Sequence, residues 1–530
     1  MSPRRAFPIG TLTFALALVR CGSSAVAPSV GPPAAGGGSD AGSNSDAGAD
    51  AGVGSNLDGG QADAGPGTDG GQGGQDAGPG TDGGQGGQDA GSGTDGGQGG
   101  QDGGSPDGGS GGPDGGSPDA GPAPGTFRLT VQLPGPGSGV VASQPPGISC
   151  PGACSADFPP GEVTLSAQAG AGSALAYWAG VCGGATATCT ARLHTSLAGT
   201  EEFVAIADFE PPPPVSYSVQ DIPKSNLVLG VNSSGNATGV GYGGPSLSSD
   251  AYLFDASTGR STFLSFSSRE TSHAQGINDR NAIVVNVMMD GSDGLHHART
   301  VRWENGVATD LGTLGGNTWG FGINGSNQMV GWFVRTDGNR MYTRAFFHDG
   351  QRMSDLGSLD GTCSEAHAVD SAGTPVGSSC AGQTQHAVVF HRGSSIEDLT
   401  PDTFGTADGI SDGGFIVGRA GPEGFIRPPG GSARSVGALP GGSGSWLHGV
   451  DDSGVAVGLA YVPVYNPKGF LESRQRAAVW MGGRLWDLSY MTGNPDLQLR
   501  EAFGINASGR IVVNGFRPGA DTQSFLLTPR

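Results

Sequence analysis

The sequence predicts an all-β protein in which a seven-bladed β-propeller follows a small β-module and a long disordered linker. Three observations predict this. From residue 215 onward a small residue, an aliphatic, Asn or Asp, turn residues and an aliphatic strand recur in that order. The anchors are Gly230, Gly276, Gly322, Ala368, Gly409, Gly449 and Gly504, spaced 46, 46, 46, 41, 40 and 55 residues apart. A period of this length marks an array of supersecondary units, none able to bury its faces alone. Within each unit the apolar residues alternate at period two, as strands require. Closure is the third observation. The seventh unit ends after its third strand, Ser524-Phe-Leu-Leu527, and Val215-Ser-Tyr-Ser-Val-Gln-Asp-Ile222 has the character of the strand it lacks. The N-terminal strand is therefore expected to complete the last blade and remove the edges of an open array.

The chain before this array divides by composition. Residues 1–20 read as an export signal: Arg4 and Arg5, an apolar run to Val19, then Leu18-Val19-Arg20-Cys21. The run is too short to span a bilayer as a mature helix. It resembles a lipoprotein signal, which implies lipidation of Cys21 and anchoring to the outer membrane at the cell surface. Arg20 stands where that signal usually carries a small residue, and a soluble-secretion cut after Ala25-Val26-Ala27 is the competing reading.

Residues 21–125 contain 14 Asp and no Lys, Arg or Glu, so they carry most of the formal charge of −21. A 13-residue period runs through them, as in Ala64-Gly-Pro-Gly-Thr-Asp-Gly-Gly-Gln-Gly-Gly-Gln-Asp76. Without large apolar residues the segment has nothing to offset the entropy of ordering, and it is expected to be a disordered tether. A Gly-rich coil of this length reaches about 50–60 Å. A calcium-binding β-roll would need an inward-facing apolar residue in each turn, and the repeat has none. No cluster of Lys and Arg offers counterion release from a phosphate backbone, so nucleic acid is not an expected partner.

Seven cysteines are present. Cys21 stands alone; Cys150, Cys154, Cys182 and Cys189 form one group, and Cys363 and Cys380 another. Apart from the lipidation candidate they are even in number and local in spacing, as a disulfide framework in an oxidising compartment requires. C-x3-C and C-x6-C do not match the usual zinc-knuckle spacing.

Residues 126–210 form the small module. Phe127–Leu133, Val163–Ala169 and Phe203–Phe209 alternate at period two and are separated by Gly and Pro. Gly147-Ile-Ser-Cys150, Cys154, Ala176-Tyr-Trp178 before Cys182, and the final strand resemble a small bacterial repeat domain related to internalin B-repeats. The resemblance implies a β-grasp-like fold with two tight disulfides, Cys150–Cys154 and Cys182–Cys189. Trp178 is expected in the core. The module reads as a spacer, and Pro211–Pro214 as a stiff extended break after it.

Each unit of the array from 215 to 530 reads as four strands. In the third, Trp319-Gly-Phe-Gly-Ile323 turns at Asn324-Gly-Ser-Asn327 into Gln328-Met-Val-Gly-Trp332, followed by Arg344-Ala-Phe-Phe347 and Met353-Ser-Asp-Leu356. With Asp310-Leu-Gly-Thr-Leu-Gly-Gly316 and Ala298-Arg-Thr-Val-Arg-Trp303, these residues resemble the HAF-type extracellular repeat family, over about 315 residues. That resemblance implies the repeat and no single chemistry. The Asn/Asp-x-x-Gly turns, such as Asn232-Ser-Ser-Gly235 and Asn506-Ala-Ser-Gly509, are what a tight reversal demands sterically, rather than calcium or glycosylation sites.

Strand alternation assigns faces around each anchor. Two residues before it stand Val228, Ala274, Gly320, Ala366, Ala407, Leu447 and Ala502, all small or aliphatic. One before it come Leu229, Gln275, Phe321, His367, Asp408, His448 and Phe503; three before it come Leu227, His273, Trp319, Glu365, Thr406, Trp446 and Glu501. The mixture of indoles, imidazoles and carboxylates at these positions is a candidate binding ring lining the channel. Its members are His273, Gln275, Trp319, Phe321, Glu365, His367, Asp408, Trp446, His448, Glu501 and Phe503. Rings for stacking on sugars and acceptors for hydroxyls point to a glycan or cell-wall ligand. Two alternatives are kept. Glu365 and Glu501 with His367 or His448 would suit acid–base cleavage of a glycosidic bond, and variable rim loops such as Arg419–Glu423 and Leu459–Arg476 would suit adhesion to a surface protein. Cys363 and Cys380 meet at that rim if the first two strands of their unit form a hairpin. No metal site and no cofactor is expected; His296-His297 near Asp290 and Asp293 reads as a solvated loop. A monomer is predicted. Replacing Cys21 with Ser is expected to move the protein from the detergent phase to the aqueous phase in detergent partitioning; partitioning unaltered by the change would remove the lipid anchor.

Overall fold

The computed structural model describes residues 125–194, 202–244, 249–266, 271–290, 296–338, 340–393, 395–466 and 470–530. The export signal, Cys21 and nearly all of the tether fall outside them. What is described is built almost wholly of strands, with one short helix, Leu488–Thr492. No helix among the described residues is long and apolar enough to cross a membrane.

The small module is a two-sheet sandwich, which departs from the β-grasp-like expectation. One sheet holds Gly139–Gln144, Ser149–Cys150, Gly161–Ala169 and Thr188–Leu193; the other holds Phe127–Gln132, Ser155–Phe158, Ala174–Gly180 and Glu202–Glu210. Leu129, Val131, Val141, Leu165, Trp178, Leu193 and Phe203 from both sheets meet in one core. A second apolar sheet face, rather than a helix, covers the first. Cys150–Cys154 and Cys182–Cys189 lie at disulfide distance, with Cα separations of 4.5 and 5.8 Å. Trp178 is buried beside them, and its indole N–H donates to Thr186 O at 2.9 Å.

The seven repeats contribute four antiparallel strands each, in separate sheets except for the sixth, whose strands form one eight-stranded sheet with the second sheet of the module. In six of them the strands are consecutive in sequence, from Ser225–Val231, Ala237–Gly241, Asp250–Asp255 and Arg260–Phe263 in the first to Gly444–Val450, Ala456–Tyr465, Leu471–Met481 and Arg484–Asp487 in the sixth. The seventh takes Gln498–Ile505, Ile511–Phe516 and Gln523–Pro529, and its fourth strand is Tyr217–Ile222. Registration runs from Ser524 opposite Ile222 to Pro529 opposite Tyr217. First strands of consecutive sheets contact one another throughout, and Gln498–Ile505 of the last contacts Ser225–Val231 of the first.

The anchor residues explain why these first strands approach so closely. A Cβ placed on Gly230 would lie 2.8 Å from Gln275 O, one on Gly276 2.8 Å from Phe321 O, and one on Gly409 2.6 Å from His448 O. Each sits against the backbone of the next first strand, so a side chain there would push the sheets apart. The Asn-x-x-Gly turns add a second seam. Asn232 Oδ1 accepts from Asn236 N at 3.0 Å and closes its own turn, while Asn232 Nδ2 donates to Asn278 O at 3.1 Å in the following repeat. Asn278 reaches Asn324 O at 3.0 Å, Asn324 reaches Asp370 O at 2.8 Å, and Asn506 in the last repeat reaches Asn232 O at 2.8 Å in the first. The turn expectation holds, and the same asparagines also join repeats.

Two buried asparagines in second strands do the same with the neighbouring backbone. Asn286 donates to Gly320 O at 2.9 Å and accepts from Gly320 N at 2.8 Å; Asn514 donates to Val228 O at 3.1 Å and accepts from Val228 N at 3.0 Å. Hydroxyls four residues before the anchor supply a further tie: Ser272, Thr318, Ser364 and Ser445 accept from Ala251, Thr300, Ala345 and Gly424 N at 2.9–3.0 Å.

The small module is not an independent spacer. It belongs to one compact unit with the repeats. Ala176, Tyr177, Ala179 and Ile206 share a core with Val417, Leu439, Leu447 and Val462. Tyr177 donates its hydroxyl to Pro440 O at 2.5 Å, Arg484 grips both oxygens of Glu210 at 2.5 and 2.6 Å, and Tyr490 donates to Pro211 O at 2.9 Å. The segment read as a variable loop, Leu459–Arg476, is instead a hairpin arm. Ala456–Tyr465 and Leu471–Met481 pair along its length, and Val464 pairs with Gly180 of the module.

Replacing Asn514 with Leu strips the Val228 N–H and C=O of their partner in a buried site and is expected to cost about 2–4 kcal/mol in urea unfolding. Asn286→Leu should cost the same within about 1 kcal/mol, because it breaks the same pair of bonds inside the chain. A negligible cost at Asn514 alone would mean that the seam between the last and first repeats carries no load.

Candidate functional site

The side chains singled out in the sequence sit on first strands, and a bulge sets their direction. In every repeat the register between first and second strands slips just before the anchor, for instance between Gly320 and Gly322, Ala366 and Ala368, and Leu447 and Gly449. The residue one before the anchor is thus left without a partner on the second strand, and its side chain is re-aimed. Beneath it, Val228, Ala274, Ala366, Ala407, Leu447 and Ala502 are fully buried, as their size predicts.

Eight of the eleven ring candidates join in one continuous chain. Phe321 meets the His367 ring edge-on at 5.3 Å between centroids. His367 Nδ1 is 3.1 Å from Asp408 Oδ1, and its Nε2 is 3.6 Å from Glu365 Oε2. Asp408 Oδ1 also accepts from Thr406 Oγ1 at 2.7 Å, and Asp408 Oδ2 accepts from the Trp446 indole N–H. On the far side His448 Nδ1 lies 3.4 Å from Asp408 Oδ2, while His448 Nε2 lies 3.0 Å from Glu501 Oε1. Phe503 stacks on His448 at 5.3 Å and 12°. Three carboxylates thus alternate with two imidazoles across four repeats. Asp408 and His448 side chains are each 12% exposed, His367 is 20% exposed and Glu501 25%.

Alternation fixes the charges. Burial on its own disfavours an imidazolium, but Asp408 and Glu365 outweigh it and raise His367 to about 10; Asp408 and Glu501 likewise raise His448 to about 9. Burial would raise Asp408, yet hydrogen bonds and charge from both histidines hold it well below the usual carboxylate range. Both imidazoles are therefore cationic at neutral pH, each ring nitrogen turned to a carboxylate.

The other three candidates lie apart. His273 packs edge-on to Trp319 at 5.7 Å, and Trp319 stacks on Trp332 at 6.4 Å and 10°. His273 Nε2 is 3.0 Å from Ser249 Oγ, and burial lowers its pKa. Gln275 is half-buried on the same strand. Asp293 and the side chains of Asp290 and His296 fall outside the described residues. Cys363 and Cys380 lie at disulfide distance with a Cα separation of 5.2 Å, on the hairpin expected for them.

Sequence reading missed three parts of this region. Thr343, 3.4 Å from Glu365 Oε1, comes from a strand that carries no ring position, and Arg419, read as the start of a rim loop, instead sits on the strand Ile416–Ala420 with its guanidinium 5.5 Å over the Trp446 ring. Trp332 faces Trp319 across the hairpin, which a cross-strand pairing of Gly320 with Gly331 would have located. A cavity of about 840 Å³ lies between the small module, the hairpin arm and the seventh repeat, lined by none of the eleven ring residues.

No protein-family model and no curated protein matches the sequence. Among solved structures, the chain is similar to TolB from Acinetobacter baumannii at 12% identity, covering 55% of this chain and 63% of that one with a TM-score of 0.30. It is similar to an acylaminoacyl peptidase from Pyrococcus horikoshii at 9% identity, covering 59% of this chain and 53% of that one with a TM-score of 0.36. The β-propeller domain of the Trilobed protease from Pyrococcus furiosus matches at 11% identity over 69% of this chain and 96% of that domain, with a TM-score of 0.23. The fold is all-β with propeller-like neighbours, and these likenesses carry nothing about activity.

The charged chain predicts a pH dependence. A histidine raised on folding stabilises fully below its unfolded value near 6.5, and that contribution is lost as pH rises through the folded value. With His367 at about 10 and His448 at about 9, the thermal midpoint is expected to fall between pH 7 and pH 10.5. A His367→Gln/His448→Gln variant should melt lower at pH 7 and lose most of that slope; wild-type melting flat across this range would refute the alternating chain.

Proposed function

We propose that residues 215–530 form a closed seven-bladed β-propeller of the HAF-type repeat kind, and that the exported chain is a surface-anchored recognition protein. Its ligand is a glycan or cell-wall polymer, held on the face formed by the first strands. Closure is supported by the pairing of Tyr217–Ile222 with Gln523–Pro529 and by Asn506 and Asn514, which reach from the last repeat to the first. Three disulfides fit an oxidising compartment outside the cytoplasm. The lipid anchor rests on the signal-like run before Cys21.

One observation carries the ligand class. Half-buried rings of Trp319, Phe321, Trp446 and Phe503 are interleaved with carboxylates and imidazoles on neighbouring first strands. Such rings offer flat apolar faces to a sugar, and the polar neighbours offer acceptors and donors to its hydroxyls. The same geometry favours recognition over hydrolysis. Glu365 and Glu501 stand at opposite ends of the bonded chain, each against an imidazole, rather than facing one another across a bond to be cleaved.

A glycan array and a peptidoglycan pull-down with the wild-type protein and Trp319→Ala test this. Loss of the indole is expected to weaken binding roughly tenfold, about 1.4 kcal/mol, while Trp319→Phe retains most of it. Binding to protein ligands alone, unaltered by Trp319→Ala, would favour adhesion through the rim; turnover of a glycan abolished by Glu365→Gln would favour an enzyme.

A further inference from the structure

We propose that the cavity between the small module and the sixth and seventh repeats is a second binding site, and that it takes an acidic oligosaccharide through Arg474 and Arg500. The cavity holds about 840 Å³, within the usual range for ligand sites. It is lined by the module strand Ala174–Gly180 with Gly183 and Gly184, by the hairpin arm, by the helix Leu488–Thr492 and by the start of Gln498–Ile505. Arg474 comes from the arm and Arg500 from the last of these strands.

Among the described residues neither guanidinium meets a carboxylate: the neighbouring Arg476 is bonded to Asp487, and Glu472 accepts from Asn466 at 2.7 Å. Arg500 lies 4.4 Å over the Phe516 ring, which fixes its head in the cavity. Burial weakens its protonated form, and the like charge of Arg474 adds to that. Both residues are exposed where they line the cavity, so an anion can reach them, and binding it would relieve the repulsion that Arg474 exerts on Arg500.

The remaining lining selects among anions. Ser473, Gln475 and Gln498 present neutral donors and acceptors, which suit sugar hydroxyls, and Tyr461 and Phe516 present rings. An acidic peptide would answer the two arginines but brings no hydroxyls to these neutral groups, and it is the competing outcome that the titration separates. A sugar carrying carboxylates meets both requirements. This deepens the glycan-recognition reading, on which its ligand class rests, yet uses a surface distinct from the first-strand ring.

The test is calorimetric titration of the full chain with a galacturonic acid trimer, with the uncharged maltotriose and a hexa-aspartate peptide alongside. Expected are binding of the uronate, weakening as salt rises, at least tenfold weaker binding by Arg474→Gln or Arg500→Gln, and none measurable with both. Maltotriose and the peptide should bind far more weakly. Arg474→Glu should abolish uronate binding while raising the thermal midpoint, since it gives Arg500 a partner, and this shows that the fold is intact. Trp319→Ala should leave uronate binding unaltered. The proposal is overturned if the uronate does not bind, if the double variant binds it as wild type does, or if the peptide binds as tightly through the same arginines. Glycan binding lost in Trp319→Ala but kept in the double arginine variant would sink this site and leave the first-strand reading standing.

Discussion

The pairing of Tyr217–Ile222 with Gln523–Pro529 is the constraint on which the remainder of the repeat array depends. It joins strands some three hundred residues apart, and such a join carries a closure entropy that grows only slowly with length. What it returns is larger than one ladder of backbone bonds. With the two ends in one sheet, the seventh sheet is complete, and Asn506 and Asn514 find the first repeat where asparagines elsewhere find the next one. The seam therefore repeats the chemistry of internal junctions, and the first strands of the last and first repeats meet as the others do.

That economy explains how much of the array could be read from its residues. The anchor glycines were legible as a period, and their cause is steric: at Gly230, Gly276 and Gly409 the next strand's carbonyl occupies the place of a side chain. Small residues two before the anchor were legible because alternation and burial act on each strand independently of its neighbours. The bulge was not legible, since it depends on how the second strand is registered against the first. Yet the bulge is what places Phe321, His367, Asp408, His448 and Phe503 on a common surface. Ser272, Thr318, Ser364 and Ser445 were visible as recurring hydroxyls, but their partners lie one repeat earlier in space, which no local pattern states.

The candidate ring shows the same division. Residue types at free positions stood out as polar and aromatic, and eight of the eleven lie in one bonded chain. Their sequence could not say that charges would alternate along the surface. Glu365, His367, Asp408, His448 and Glu501 come from four repeats, and only the lateral contact of first strands orders them as acid, base, acid, base, acid. A half-buried cluster of like charges would have been costly; alternation lets each buried group solvate its neighbours. The small module misled for a related reason. Its own core is closed by Trp178 and the two sheets, so it reads as self-sufficient, and the apolar Tyr177 and Ile206 that dock it look like ordinary strand residues.

That docked junction is also unbalanced in charge, and the imbalance has a sign. Asp208, Glu210 and Asp487 meet only Arg476 and Arg484, so one carboxyl has no cation. Asp208 is the one left: it is 1% exposed, its Oδ1 has no hydrogen-bond partner, and burial together with the charges of Glu210 and Asp487 raises it to about 8. Between its ordinary value and about 8 the folded chain holds a proton that the unfolded chain releases, so the junction weakens as pH rises through that window. The histidine chain weakens over the next window, from about 6.5 to its folded values near 9 and 10. The two networks fail in the same direction for opposite reasons, one because a buried acid must ionise and the other because buried cations must discharge. At Asp208, His367 and His448 the proton is held more tightly folded than unfolded, so these two networks loosen from the alkaline side, starting where the small module meets the repeats.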